Sequence, residues 1–107
     1  YGDGSRIRSW CYIDDLVTGV LKAIEAPPDT FNIGNPRATL TIYELAKTVI
    51  KVLNSKSKIV FKKDLSADID FRIPNINKAK DLLGFKPKVE LEEGIISTAS
   101  WVKSRLK

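Results

Sequence analysis

Residues 41–53 hold the sequence pattern that most constrains the fold. Thr41 is followed three positions later by Glu44, and Thr-x-x-Glu is typical of a capping box, in which the two side chains satisfy free N–H groups at a helix start. The apolar residues that follow recur at helical spacing on one face: Ile42, Leu45, Ala46, Val49, Ile50 and Leu53. The sequence therefore predicts an amphipathic helix over residues 42–53 that packs against another element.

Two further helices are predicted on either side of it. Apolar residues at helical spacing predict one over residues 16–26, which Pro27-Pro28 ends because proline cannot continue a helix. Asn75 or Asn77 is expected to cap a short helix that stops at Gly84, a residue suited to a left-handed C-terminal position.

A last helix is predicted over residues 91–106. Glu92 and Glu93 lie in its first turn and basic residues in its last, an order that complements the helix dipole.

Short extended segments lie between the helices. Strands are predicted at residues 8–13, 30–33 and 58–62, and residues 72–74 are predicted to be extended. Residues 65–71 show no clear period and are predicted as a loop. The expected fold class is therefore mixed α/β, mainly helical with short strands.

The N-terminal stretch combines a turn, a strand and a helix start. Gly2-Asp3-Gly4 predicts a tight reversal, because glycine adopts positive φ without steric cost. Asp14 or Asp15 is expected to cap the helix that follows. Arg8, on the strand beside the turn, is placed to bind a phosphate.

Composition limits the classes of function. The chain has 107 residues, enough for one domain, with one cysteine and no histidine, so we expect no metal site and no disulfide. No apolar run approaches the ~20 residues that span a bilayer, and a single cysteine agrees with a reducing cytoplasm.

The net charge of +5 lies in the second half, where residues 51–107 hold thirteen basic and seven acidic residues. Five lysines between residues 51 and 63 allow a basic nucleic-acid-binding or protein-binding module as the alternative function. A solvated lysine face is favoured, since only Phe61 interleaves an aromatic ring with them.

Six motifs follow one another in the order of a known family. They are Gly-Asp-Gly-Ser-Arg-Ile-Arg-Ser-Trp-Cys-Tyr-Ile-Asp-Asp-Leu at 2–16, Phe-Asn-Ile-Gly at 31–34, Glu-Leu-Ala at 44–46, Arg-Ile-Pro-Asn-Ile-Asn-Lys-Ala at 72–79, Leu-Leu-Gly-Phe-Lys-Pro at 82–87 and Leu-Glu-Glu-Gly at 91–94. In this order the chain resembles the extended short-chain dehydrogenases/reductases that act on nucleotide sugars. These are the NAD-dependent epimerases, dehydratases and decarboxylases, including members like UDP-glucuronate decarboxylase and dTDP-glucose 4,6-dehydratase.

The resemblance implies site residues and a place in a larger enzyme. Arginines at the positions of Arg8 and Arg72 reach the diphosphate of a UDP- or dTDP-linked sugar in this family, and Arg6 stands where glutamine is usual and is a possible further cation. Residues 1–107 are then expected to form a C-terminal substrate-binding lobe, with about residues 14–34 belonging to the sheet of a Rossmann-type cofactor domain that the chain lacks. The same comparison implies NAD as the cofactor of the whole enzyme, a preceding Rossmann domain as a partner, and self-association of the isolated lobe.

Two apparent catalytic motifs are set aside. Tyr43 and Lys47 fit the Tyr-x-x-x-Lys pair of the same superfamily, but that pair lies upstream of these motifs in the family. Gly2-Asp3-Gly4 lacks the third glycine and the following helix of a dinucleotide fingerprint. We therefore expect no catalytic and no cofactor-binding residue in the chain, and no activity from it alone.

Overall fold

The structure is a computed structural model, and it describes residues 1–64 and 70–106. These residues form a mixed α/β arrangement, as expected. Its elements are β1 (Ile7–Ser9), α1 (Ile13–Glu25), β2 (Thr39–Thr41), α2 (Ile42–Val52), β3 (Phe71–Arg72), α3 (Asn77–Leu83) and α4 (Leu91–Arg105). Helix α2 contacts α4, and α1 contacts α3.

The three strands form one small sheet in the order β2-β1-β3. β1 is the central strand: Ile7 lies opposite Thr41 in antiparallel β2, and Arg8 lies opposite Arg72 in parallel β3. Because β1 is paired on both sides, its backbone is fixed over its whole short length.

The predicted capping box of α2 is confirmed. The Thr41 hydroxyl accepts from the backbone N–H of Glu44 at 3.0 Å, and the Glu44 carboxylate accepts from the backbone N–H of Thr41 at 2.8 Å. These bonds to the backbone and hydroxyl of Thr41 lower the pKa of Glu44 below its usual value. α2 begins where the sequence predicts.

The predicted cap of α1 is wrong. The helix begins at Ile13 after Tyr12, without a side-chain cap, so the predicted strand over residues 8–13 ends at Ser9. Asp15 lies within the first helical turn and is buried, and its carboxylate accepts from the backbone N–H groups of Lys88 and Val89 at 2.9–3.1 Å. It therefore holds a distant loop rather than its own helix end.

Two predicted strands are also wrong. Residues 30–33 are not in a strand, since no described strand lies beside them to accept their hydrogen bonds. Residues 58–62 contribute only one bridge, in which Gly2 N donates to Lys62 O at 2.7 Å. Conversely, β2 at residues 39–41 was not predicted. Residues 65–69 of the predicted loop lie outside the described part, and its last residue, Phe71, belongs to β3.

The sequence predicts the ends of α3 and α4 only in part. α3 begins after Ile76 without a side-chain cap, so neither asparagine occupies the cap position; Asn75 Oδ1 accepts from Asn77 N at 3.0 Å just before the helix. Gly84 ends α3 in the left-handed conformation, with φ of 63°, as predicted. α4 has its acidic first turn and basic last turn.

The core is small and centres on Phe85, which is 1% exposed. Gly19 of α1 lies against it: a Cβ at Gly19 would come within 3.2 Å of the Phe85 ring and 2.5 Å of Ile33. By contrast, large apolar side chains of α1 are exposed, at Ile13, Leu16, Val17, Val20, Leu21 and Ile24. Helix α1 is thus packed against Phe85 and Ile33 at Gly19, while its main apolar face is exposed to solvent.

In the described ranges, every helix is too short or too polar to cross a bilayer. The same residues contain no cluster of three or more potential metal-binding side chains.

Candidate functional site: an arginine cleft beside the central strand

A cleft of about 520 Å³ opens where the N-terminal turn meets β1. Its lining combines backbone of the turn with charged side chains of both signs. The lining residues are residues 1–6, Arg8, Ile42, Asp64 and Asp70. We call this feature the arginine cleft.

Arg8 and Arg72 are brought together by the sheet. They are direct partners in the parallel pairing of β1 with β3, and paired residues on neighbouring strands project from the same face of a sheet. The guanidinium of Arg8 donates to the backbone carbonyl of Ile7 at 2.8 Å and approaches that of Asp70 at 3.5 Å. Two arginines 64 positions apart in sequence therefore share one patch of sheet surface.

Arg6 lies two residues before Arg8 and also lines the cleft. Its guanidinium pairs with the Asp64 carboxylate, with Nη2 bonded to Oδ2 and Nη1 3.4 Å from Oδ1. The Arg6 side chain is 22% exposed and that of Asp64 39%, so the pair stands at the edge of solvent. A further cation is thus present in the cleft, already engaged by a carboxylate.

The glycine turn that forms one wall is fixed by its own contacts. Gly2 and Gly4 both have φ of 79°, as the predicted reversal requires. A Cβ at Gly4 would lie 2.9 Å from the Tyr43 Cβ, and Gly4 O accepts from Tyr43 N at 2.9 Å. Within the turn Asp3 accepts from the hydroxyl and N–H of Ser5, and these bonds lower the pKa of Asp3. The turn is therefore tied to the start of α2.

Tyr43 and Lys47, which fit the Tyr-x-x-x-Lys spacing, make packing contacts. The Tyr43 ring stacks on Phe61 with centroids 5.9 Å apart, and Lys47 Nζ lies 4.9 Å from the centre of the same ring. Neither residue lines the arginine cleft. The ammonium over the ring face is the geometry of a cation–π contact.

Asp15 is the residue that sequence reasoning assigned to the wrong role. Its burial and its bonds to Lys88 and Val89 join α1 to the loop before α4. Its position in the sequence, at the start of a helix, fits a cap equally well, so no local signal distinguishes the two roles.

Arg8 and Arg72, paired on neighbouring strands, carry guanidinium groups, which bind phosphate and carboxylate groups well. The family model described as GDP-mannose 4,6 dehydratase matches residues 1–98. The chain belongs to this family of NAD-dependent nucleotide-sugar epimerases and dehydratases.

Curated relatives agree with this family. The chain is 38% identical over 107 residues to UDP-glucuronic acid decarboxylase 1 of Arabidopsis thaliana, covering 99% of this chain and 24% of that protein. It is 42% identical over 96 residues to UDP-glucuronic acid decarboxylase 4 of the same plant, covering 89% of this chain and 21% of the relative. The chain thus spans about a quarter of the length of these relatives.

Solved structures match the fold closely. UDP-glucose 4-epimerase from Thermotoga maritima, solved with UDP-glucose, superposes with a TM-score of 0.91 at 33% identity, over 100% of this chain and 35% of that one. UDP-glucuronic acid 4-epimerase from Bacillus cereus, solved with UDP-glucuronic acid and NAD, gives 0.88 at 26% identity, over 98% and 34%. The expected fold, a portion of a Rossmann-type short-chain dehydrogenase, is confirmed.

Proposed function

We propose that this chain binds the diphosphate of a UDP- or dTDP-linked sugar through Arg8 and Arg72. It would do so as the substrate-binding part of an NAD-dependent epimerase, dehydratase or decarboxylase. The observation that carries the proposal is the pairing of Arg8 with Arg72 across β1 and β3. Such a pair offers two guanidinium groups from one rigid surface to one anion.

Charge and geometry favour a diphosphate over a neutral ligand. A guanidinium binds two phosphate oxygens through a planar fork, so two neighbouring arginines match the two phosphates of a diphosphate. Arg6 and Arg8 both line the arginine cleft, whereas Arg72 is not among its lining residues and adjoins it through its pairing with Arg8. The relatives named above include proteins solved with UDP-glucose and with UDP-glucuronic acid, which supports a nucleotide-sugar ligand here.

The chemistry of the whole enzyme would depend on residues outside these 107. NAD, when bound, supplies transient oxidation of the sugar. The sequence contains no glycine-rich dinucleotide fingerprint, and Tyr43 stacks on Phe61 away from the cleft. We therefore propose that the chain alone neither binds NAD nor turns over a nucleotide sugar. Turnover of a UDP- or dTDP-sugar by the purified chain would contradict this.

The exposed apolar face of α1 supports a second part of the proposal. Leu21 and Ile24 are 57% and 73% exposed, more than an amphipathic helix leaves uncovered in a closed domain. In the whole enzyme we place residues 14–34 against the sheet of the cofactor domain. In the isolated chain the same face would drive self-association.

Calorimetry with UDP and with uridine tests the main proposal. UDP should bind to the chain, and uridine, which lacks the diphosphate, should bind at least ~10-fold more weakly because it cannot pair with either arginine. Equal affinities would show that the diphosphate is not what the chain recognises.

The alternative, a nucleic-acid-binding module, is tested by a gel shift with single-stranded RNA at low and moderate salt. It is supported by the lysines between residues 51 and 63. Phe61, the aromatic residue among them, is stacked on Tyr43, which leaves it less available for a base. Salt-dependent RNA binding without UDP binding would favour the alternative.

A further inference from the structure

The Arg6–Asp64 pair places opposite charges inside the cleft that the proposed ligand would enter. Both residues line the arginine cleft. The Asp64 carboxylate lies over the glycine turn, since a Cβ at Gly2 would be 3.5 Å from Asp64 Oδ2. An anion in the cleft would thus meet the Asp64 carboxylate as well as Arg6 and Arg8.

The backbone holds Asp64 in that place. Gly2 N donates to Lys62 O at 2.7 Å, two residues before Asp64, so the segment is attached to the turn by its main chain. The side-chain pair then links the same two segments a second time. The segment that carries Asp64 is thus linked to the turn both by its backbone and by the side-chain pair.

We infer that Asp64 acts as an internal competitor for the diphosphate, holding Arg6 until the ligand replaces it. The inference rests on the proposed function. On binding, the charge-assisted bonds between Arg6 and the Asp64 carboxylate are exchanged for bonds between Arg6 and phosphate oxygens. No covalent bond changes. Asp64 would then lower affinity for every anion in the cleft and favour ligands with enough charge to displace it.

The partly solvated position of the Arg6–Asp64 pair determines how strongly Asp64 can affect ligand affinity. With side-chain exposures of 22% and 39%, the pair is screened by water, so its influence is moderate. Removing one unit charge at the distance of a neighbouring side chain should change the dissociation constant by about three- to tenfold.

Calorimetry with UDP on the 107-residue chain tests the inference. Asp64→Asn should bind UDP about three- to tenfold more tightly than the unchanged protein, because the competing charge is gone while the side-chain shape is kept. Asp64→Ser should give a similar gain, and Asp64→Glu, which keeps the charge, should give none. Asp81→Asn is the matched control, since Asp81 is exposed on α3 and does not line the cleft.

Arg6 supplies the second half of the test. In an Arg6→Gln background, Asp64→Asn should give a smaller gain, about twofold or less, because no arginine is released. Unchanged or weaker UDP binding in both Asp64→Asn and Asp64→Ser would overturn the inference, as would an equal gain in Asp81→Asn.

Failure of the proposed function would look different. It would appear as no UDP binding by the unchanged chain, or as UDP binding that does not change in Arg8→Ala. If Arg8→Ala weakens UDP binding and Asp64→Asn does not strengthen it, the function stands and the competitor role fails.

Discussion

In the sheet region, β1 is paired on both sides, and its side chains meet partners that the same chain supplies. In the α1 region, the apolar face from Leu16 to Ile24 is exposed, and residues 30–33 have no neighbouring strand among the described elements. The central strand of the first region is paired on both sides, whereas the second region exposes apolar surface that soluble domains usually bury.

The two regions differ in what they need from the rest of the protein. The proposed binding of a diphosphate needs a few cations held on a rigid surface, and Arg8 and Arg72 lie on paired strands of the sheet. Burying the exposed apolar face of α1 needs a further surface that the described residues do not supply. We therefore expect the proposed site to be formed by this chain alone, whereas the apolar face of α1 needs a further surface to cover it.

Loss of Phe85 should have the largest effect, because its buried ring lies against Gly19 of α1. We expect Phe85→Ala to lower the free energy of unfolding by about 3–5 kcal/mol, measured by urea denaturation. Trp101→Ala is the control: this aromatic side chain is 60% exposed and should cost far less. Equal losses would mean that α1 is not held by this core.

Loss of either paired arginine should come next. We expect Arg8→Ala and Arg72→Ala each to weaken UDP binding by about 10- to 100-fold, because each removes a charge-assisted bond to phosphate. Calorimetry measures the affinity.

Arg37→Ala is the matched control for these variants, since Arg37 pairs with Glu90 and lies outside the cleft. A loss of UDP affinity in Arg37→Ala as large as in Arg8→Ala would indicate a general charge effect and not a site.

A charged residue on the apolar face of α1 should weaken self-association and leave ligand binding in the cleft unchanged. We expect Val20→Lys to weaken self-association by about tenfold in sedimentation experiments, because it places an ammonium in an apolar interface. Val60→Lys is the control, as Val60 is also exposed (73%, against 46% for Val20) but lies outside α1. A strict monomer at high concentration before any substitution would contradict the expectation.

Acidification should have the smallest effect, and it concerns α2. Because its bonds to Thr41 lower the pKa of Glu44, this carboxylate stabilises the fold above its usual pKa of 4.5. That contribution is lost as the pH falls through the lowered value.

Thr41→Ala should cost about 1 kcal/mol at neutral pH, and because it removes one of the bonds that lower the pKa of Glu44, the acid loss should be smaller and complete at a higher pH. Circular dichroism at stepped pH measures both effects. Thr48→Ala, which removes a hydroxyl bond within the same helix, is the control and should leave the acid transition in place.

The features that could be predicted from the sequence depend on residues close together in the chain. The capping box of α2, the positive φ of Gly84 and the glycine reversal depend on neighbouring residues, and each was found. Asp15 was misassigned because its partners are 73 and 74 positions away. β2 was missed because its three residues form a strand only by pairing with β1.

The same distinction between local and long-range contacts applies to the candidate site. Arg6, Arg8 and Arg72 could be chosen from a resemblance, but their placement depends on strand pairing across more than sixty residues. The Arg6–Asp64 pair, 58 positions apart, had no sequence signal. Long-range pairing is the information that a single sequence does not express locally.

The central claim is tested most directly by following the backbone amide resonances of the ¹⁵N-labelled chain during a titration with UDP. The account predicts that the shifts concentrate at residues 6–9 and 70–73, on the two strands that carry Arg8 and Arg72. Shifts confined to the lysines between residues 51 and 63, or no shifts at all, would contradict it.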